Sequence, residues 1–115
     1  MQLFSWENMK KEVLNDKLSR KVISGEKMTL AQIFLDKGAV VPLHQHEHEQ
    51  FSSVLTGALR FELEGKEIVV RPGEVLHIPS NVPHRVVALE DSVALDAFSP
   101  VRADWLAGKD DYLRR

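Results

Sequence analysis

The sequence predicts an all-β fold, one small barrel or sandwich, and two observations carry that prediction. Between Leu18 and Pro100 the chain breaks into short runs rich in Val, Ile, Leu, Phe and Thr, each stopped by turn-forming residues at close intervals. Where a run is clean enough to read, its period is two: Leu59, Phe61 and Leu63 fall on one side, Arg60 and Glu62 on the other.

Nine strands follow in order, at residues 20–23, 29–35, 40–44, 51–55, 58–63, 67–70, 75–78, 84–88 and 93–98. Their boundaries are set by Gly25, Gly38, Gly57, Gly65 and the Pro72-Gly73 pair, residues that admit positive φ or preset a turn. Residues 6–14 read as a short helix or an extended arm. Leu3, Phe4 and Trp6 give that segment an apolar side that needs cover, from the same barrel or from a second subunit. Residues 102–112 lack alternation, and Trp105, Leu106, Tyr112 and Leu113 suggest a short helix or turn packed on the barrel. The barrel core therefore spans about 18–100, with short N- and C-terminal extensions.

A chain of 115 residues fits one domain, with no room for a second. Hydrophobic residues at 43% and charged residues at 28% are enough to bury a core, so disorder is not expected. Fifteen Lys and Arg against seventeen Asp and Glu leave a net charge of -2, which argues against a nucleic-acid partner. The absence of cysteine excludes disulfides, zinc fingers and thiol nucleophiles. The first eleven residues, with Glu7, Lys10 and Lys11, lack the apolar run of a signal peptide, and no stretch is long enough to span a bilayer. A cytoplasmic protein with no membrane partner is the expectation.

Two segments carry the chemistry. The first runs from Gly38 through His44, His46, His48 and Gln50 to Gly57; the second runs from Gly73 through Pro79 and Pro83 to His84. In an extended chain His44 and His46 face one side and can offer two imidazoles to one ion. Gln50 continues at the same parity, and His84 would arrive from a separate strand. Three nitrogens and an amide oxygen would fill one hemisphere of a divalent ion and leave the other open to water or substrate, as catalytic sites do. Because every ligand is neutral, the full dipositive charge would face the cavity, favouring an anionic small-molecule substrate and a Lewis-acid role. The lack of a carboxylate argues against iron-oxygenase chemistry, while imidazole suits zinc, copper, iron and nickel alike; manganese also stays open. His48 shares the ligands' parity and could be a fifth ligand, a supporting group or an acid/base. His77 has the opposite parity to Leu76 and Ile78 and reads as structural, and Glu47 and Glu49 read as solvated.

These segments resemble the two conserved motifs of the cupin superfamily. The spacing of the first holds from Gly38 to Gly57, with Gln50 where glutamate is usual. The second keeps Gly73, Pro79 and His84, with Asn81 for its second glycine and Ala88 for its final asparagine. The resemblance implies a double-stranded β-helix, or jelly-roll barrel, and a homodimer, which the uncovered N-terminus also suggests.

A third stretch, from Val93 to Leu106, places Asp96 and Phe98 on one face of the last strand and lets the Ser99-Pro100 break turn Arg102 toward the same mouth. Arg102 could grip a substrate carboxylate in a bidentate pair, and Asp96 could move protons if its environment tunes its pKa. Taken singly, Asp96 could be an ordinary strand residue, Phe98 core, and Arg102 a partner of Asp104 or Glu90. Together with His-x-His-x-His-x-Gln and Ile-Pro-x-Asn-Val-Pro-His, this stretch is similar to the small cupins of the pectin-degradation protein KdgF type. That resemblance implies an enzyme that opens 4,5-unsaturated uronates to linear keto acids. It implies a metal on His44, His46, Gln50 and His84, and a substrate side of Asp96, Phe98 and Arg102; His48, by its parity alone, is a further candidate for substrate contact. Other metal-dependent oxygenase or isomerase activities, and a non-catalytic module binding sugars or small acids, stand as alternatives.

Overall fold

A computed structural model describes residues 1–115. Ten strands form it: β1 (Glu12–Asn15), β2 (Leu18–Ser24), β3 (Thr29–Leu35), β4 (Val40–His44), β5 (Glu49–Thr56), β6 (Leu59–Leu63), β7 (Lys66–Val70), β8 (Val75–Ile78), β9 (His84–Ala88) and β10 (Ser92–Ser99). They make two antiparallel sheets, one of six strands ordered β1-β2-β3-β10-β5-β8 and one of four ordered β4-β9-β6-β7. Inward side chains of both sheets meet in one core that includes Leu18, Leu35, Val54, Leu59, Phe61, Ile78 and Val86. Burying such a row of aliphatic and aromatic side chains is the main favourable term in folding.

The period-two reading of β6 holds, since Leu59 and Phe61 are buried while Arg60 and Glu62 stay partly exposed. Glu62 there accepts hydrogen bonds from Arg60 and Arg85. The β6–β7 hairpin closes on Glu64 and Gly65, both at positive φ, the conformation a two-residue hairpin requires. Residues 6–14 are neither a helix throughout nor an extended arm throughout: a single 3-10 turn at Trp6–Asn8 precedes strand β1. Met1 and Leu3 are fully exposed and Phe4 nearly half exposed, so this chain leaves its own N-terminal apolar side uncovered. No helix is long and apolar enough to cross a membrane.

The C-terminal segment packs against β1, β2 and β4. It contains a one-turn helix, α1 (Ala103–Leu106), and a 3-10 turn at Asp111–Leu113. Buried Asp110 accepts from Arg20 and Arg114, and Asn15 donates to the Leu113 carbonyl at 3.0 Å, which pins the tail to β1 and β2. Leu113 joins the core, with Trp105 and Tyr112 packed against it.

Candidate metal centre

His44 and His84 are direct cross-strand partners on β4 and β9, and their rings lie 4.2 Å apart edge to face. The ladder between those strands shifts register between Val41 and His44, where Pro42 has no N–H to give. The Pro42 carbonyl, freed from the ladder, instead accepts from His44 Nδ1 at 2.8 Å. The same two-residue step recurs where His84 Nδ1 meets the Val82 carbonyl at 2.8 Å. His46 lies in the loop after β4 and uses the His48 carbonyl at 3.0 Å. That loop is held by a hydrogen bond from the Asn81 N–H to the His46 carbonyl at 2.8 Å. Asn81 sits at φ 63, so the asparagine fills a left-handed position that otherwise favours glycine.

With each Nδ1–H spent on a carbonyl, each Nε2 is left with its lone pair, the form a metal ligand requires. Ligand atoms of His44, His46 and His84 lie within 4.8 Å of one another. Burial, and then the neighbouring His84, pushes His44 down to about 4. Burial, then Arg102 and the other imidazoles, pushes His46 down to about 3. Burial also lowers His84, against the pull of the Val82 carbonyl. All three are neutral near pH 7.

Gln50 completes the set. It is the second residue of β5, is 5% exposed, and pairs with Phe98 across the sheet. Its Nε2 donates to Ser52 Oγ at 2.8 Å, which turns Oε1 toward His46 Nε2 at 3.1 Å. A neutral imidazole has one N–H, and that of His46 already faces the His48 carbonyl, so a lone pair and a carbonyl oxygen point at each other. A cation between them satisfies both. The donor set therefore fits a divalent ion held by three imidazoles and an amide oxygen.

Asp96 lies directly across from Ser52 on β10. Its Oδ1 is sealed from water and has no hydrogen-bond partner. Burial pushes its carboxyl up to about 7, against the Ser52 hydroxyl and the Arg102 charge, which pull down. Asp96, Phe98 and Arg102 line one cavity of about 60 Å³ together with His44, Gln50 and His84. Two expectations need correction. His48 is buried but does not line that cavity, because residues 45–48 are a loop in which strand parity does not apply; what it supplies is the carbonyl that orients His46. Arg102 is 1% exposed, and its bidentate edge is filled: Nε and Nη2 donate to Asp104 at 3.0 and 2.7 Å, and Nη2 also reaches the Tyr112 hydroxyl. Outside the cavity, His77 meets Glu49 at 2.7 Å on the exposed face.

Several residues at the cavity escape sequence reasoning. Tyr112 stacks on His44 at 4.6 Å, Trp105 packs edge-on against Phe98 at 5.1 Å, and Arg20 lies over Trp105 at 4.3 Å. One signal for Arg20 is visible: it shares parity with Leu18 and Val22, a charge on the inward face of β2.

The cupin domain family model matches residues 32–98. The pectin degradation protein KdgF of Dickeya dadantii is 35% identical over 98 residues, covering 83% of this chain and 89% of that protein. The structure of KdgF from Halomonas sp. superposes with a TM-score of 0.85 at 34% identity, covering 90% of this chain and 99% of that one. An RmlC-like cupin from Shewanella frigidimarina also superposes at 0.85, with 27% identity and coverage of 91% and 96%. The two sheets, the histidine cluster and these likenesses agree, and the chain belongs to the cupin family, among its small members of the KdgF type.

Proposed function

We propose that this cupin is a metal-dependent enzyme that opens the ring of 4,5-unsaturated uronates to linear keto acids. The observation that carries the reading is one cavity lined by His44, Gln50 and His84 and by the Asp96 carboxyl, which burial pushes up to about 7. A carboxyl held there, beside the proposed ligands, can take a proton from one substrate atom and give it to another, as a general acid or base must. The likeness to a pectin degradation protein supplies the substrate class.

A divalent ion on the four neutral ligands would supply Lewis-acid stabilisation of oxygens that gain negative charge. The chain's own residues would do the rest. In the reaction the hydroxyl at C1 loses its proton, the bond from C1 to the ring oxygen breaks to leave an aldehyde at C1 and an enolate, and the enolate takes that proton at C4 as it collapses to the ketone. Asp96 would carry that proton from the C1 oxygen to C4. Phe98 would wall the ring, with the Arg102 guanidinium 4.7 Å from its centroid. Arg102 would act through its Nη1, because Asp104 occupies its bidentate edge.

Metal-loaded protein mixed with a 4,5-unsaturated galacturonate should accelerate the loss of the conjugated enol-acid absorbance, and His46→Ala should abolish the acceleration. A rate equal to buffer across zinc, nickel, manganese, iron and copper would remove the uronate reading. Asp96→Asn separates catalysis from binding, since it should stop turnover while galacturonate still binds.

A further inference from the structure

Arg20 is 2% exposed and has more N–H groups than partners. Nε donates to Glu12 at 2.8 Å and Nη2 donates to Asp110, but Nη1 has no acceptor and no access to water. Its charge is answered: Glu12 and Asp110 are also the partners of Arg114, so two cations meet two carboxylates. What is missing is an oxygen, not a counter-charge. The guanidinium lies on the Trp105 indole, whose Nε1 is likewise buried without a partner. Both residues line the cavity that His44, Gln50 and His84 line.

The unpaired atoms define what would fit. Two N–H groups on Arg20 and one on Trp105 are all donors, and a carboxylate is the side of a sugar acid that only accepts. Arg102 has no fork to offer it, since Asp104 already sits there. The cavity of about 60 Å³ has room for a carboxylate-sized group, given that one water takes about 10–15 Å³. Trp105 belongs to the one-turn helix rather than to either sheet, and its indole is the wall that faces Arg20.

We propose that Arg20 and Trp105 are a carboxylate-positioning pair, which holds the acid end of the substrate inside the barrel while the ring lies at the histidine cluster. This rests on the uronate reading for the substrate, but not for the donor pair itself. Two variants test it without removing the tail anchor. Arg20→Lys keeps a positive charge beside Asp110 and Glu12 and loses Nη1, and Trp105→Phe keeps an aromatic face and loses Nε1–H. Each should raise KM for 4,5-unsaturated galacturonate by about tenfold or more, the effect of one hydrogen bond to a charged group, with kcat within about twofold. A purely structural role would instead lower Tm and kcat together at unchanged KM, and that result overturns the proposal. If the wild-type protein turns over no unsaturated uronate, the ring-opening reading fails and calorimetry of the metal-loaded protein with galacturonate and galactose decides on the pair. A wild-type preference for the acid that both variants erase supports it. Equal affinity for acid and neutral sugar in the wild type, or a preference that both variants retain, refutes it.

Discussion

Replacing Asp96 by Asn in chelator-treated protein should stabilise the fold increasingly as the pH rises. The Asp96 carboxyl is pushed from 3.8 up to about 7, chiefly by burial, while Ser52 and Arg102 oppose the shift. A folded-state pKa above the unfolded one means that the folded chain binds this proton more tightly. The stability it contributes is therefore fully present below about pH 4 and is lost as the pH climbs through about 7. Each pH unit across that window is worth about 1.4 kcal/mol, so the variant should gain on the wild type by about 4 kcal/mol in all. The imidazoles titrate in the opposite sense. His44 and His46 are depressed from 6.5 to about 4 and about 3, so their contribution is present above about pH 6.5 and fades as the pH falls through those values. They are common to both proteins, and in the difference they cancel to first order. Chelation matters because a bound cation would draw the carboxyl down. Urea unfolding followed by tryptophan fluorescence, at several pH values from about 4 to about 8, gives the difference from the midpoints at a shared m-value. A difference that stays constant within about 1 kcal/mol across that range refutes the raised carboxyl.

Three further outcomes follow from single contacts. Asp110→Ala strands Arg20 and should cost about 3 kcal/mol, read as a fall in Tm of about 10 °C or more, since the two side chains are 0% and 2% exposed and only Glu12 remains to Arg20. Gln50→Glu puts a carboxylate beside His46 Nε2 and should tighten divalent-ion binding by at least about tenfold in a competition titration. The same change takes the donor away from Ser52 and reduces the positive field, so turnover of an anionic substrate should fall. Gly57→Ala should cost at least about 2 kcal/mol more than Gly65→Ala in chemical denaturation. Both glycines have positive φ, but a methyl at 57 runs into Ser92 and the Asp91 carbonyl, whereas at 65 it meets nothing within 4 Å.

The last of these contrasts shows why the strand-and-turn frame is legible in the sequence. A turn glycine, a proline and a period-two run are local, and each states its own backbone conformation. His44 and His84 are legible for the same reason: strands 40–44 and 84–88 are readable separately, and pairing places the two rings together. Parity fails for His48, because the chain from 45 to 48 has left the strand, while Gln50 comes back onto the inward face only because β5 begins at Glu49. The C-terminal segment is the least legible part. Its apolar residues announce that it packs, but nothing periodic says that Tyr112 lands on His44 or Trp105 on Phe98. An occupied guanidinium is equally silent, since Arg102 reads the same whether Asp104 or a substrate holds its fork.

That occupancy changes where the attraction for an anion comes from. Arg102 is compensated by Asp104, and Arg20 with Arg114 is compensated by Glu12 and Asp110, so neither guanidinium brings net charge to the cavity. The histidines are neutral, and burial holds the Asp96 carboxyl well above the ordinary carboxylate range, so it is only partly ionised near pH 7 in the metal-free chain. The protein side of the site is close to uncharged, and any net positive charge must be brought by the ion that the four neutral ligands fit. An amide at position 50 leaves that charge undiminished, where a carboxylate would cancel half of it. Arg20 then holds the acid end that the ion attracts, a division of labour in which loss of the metal removes the net charge that draws the anion in and loss of Arg20 Nη1 removes a hydrogen bond to the docked carboxylate.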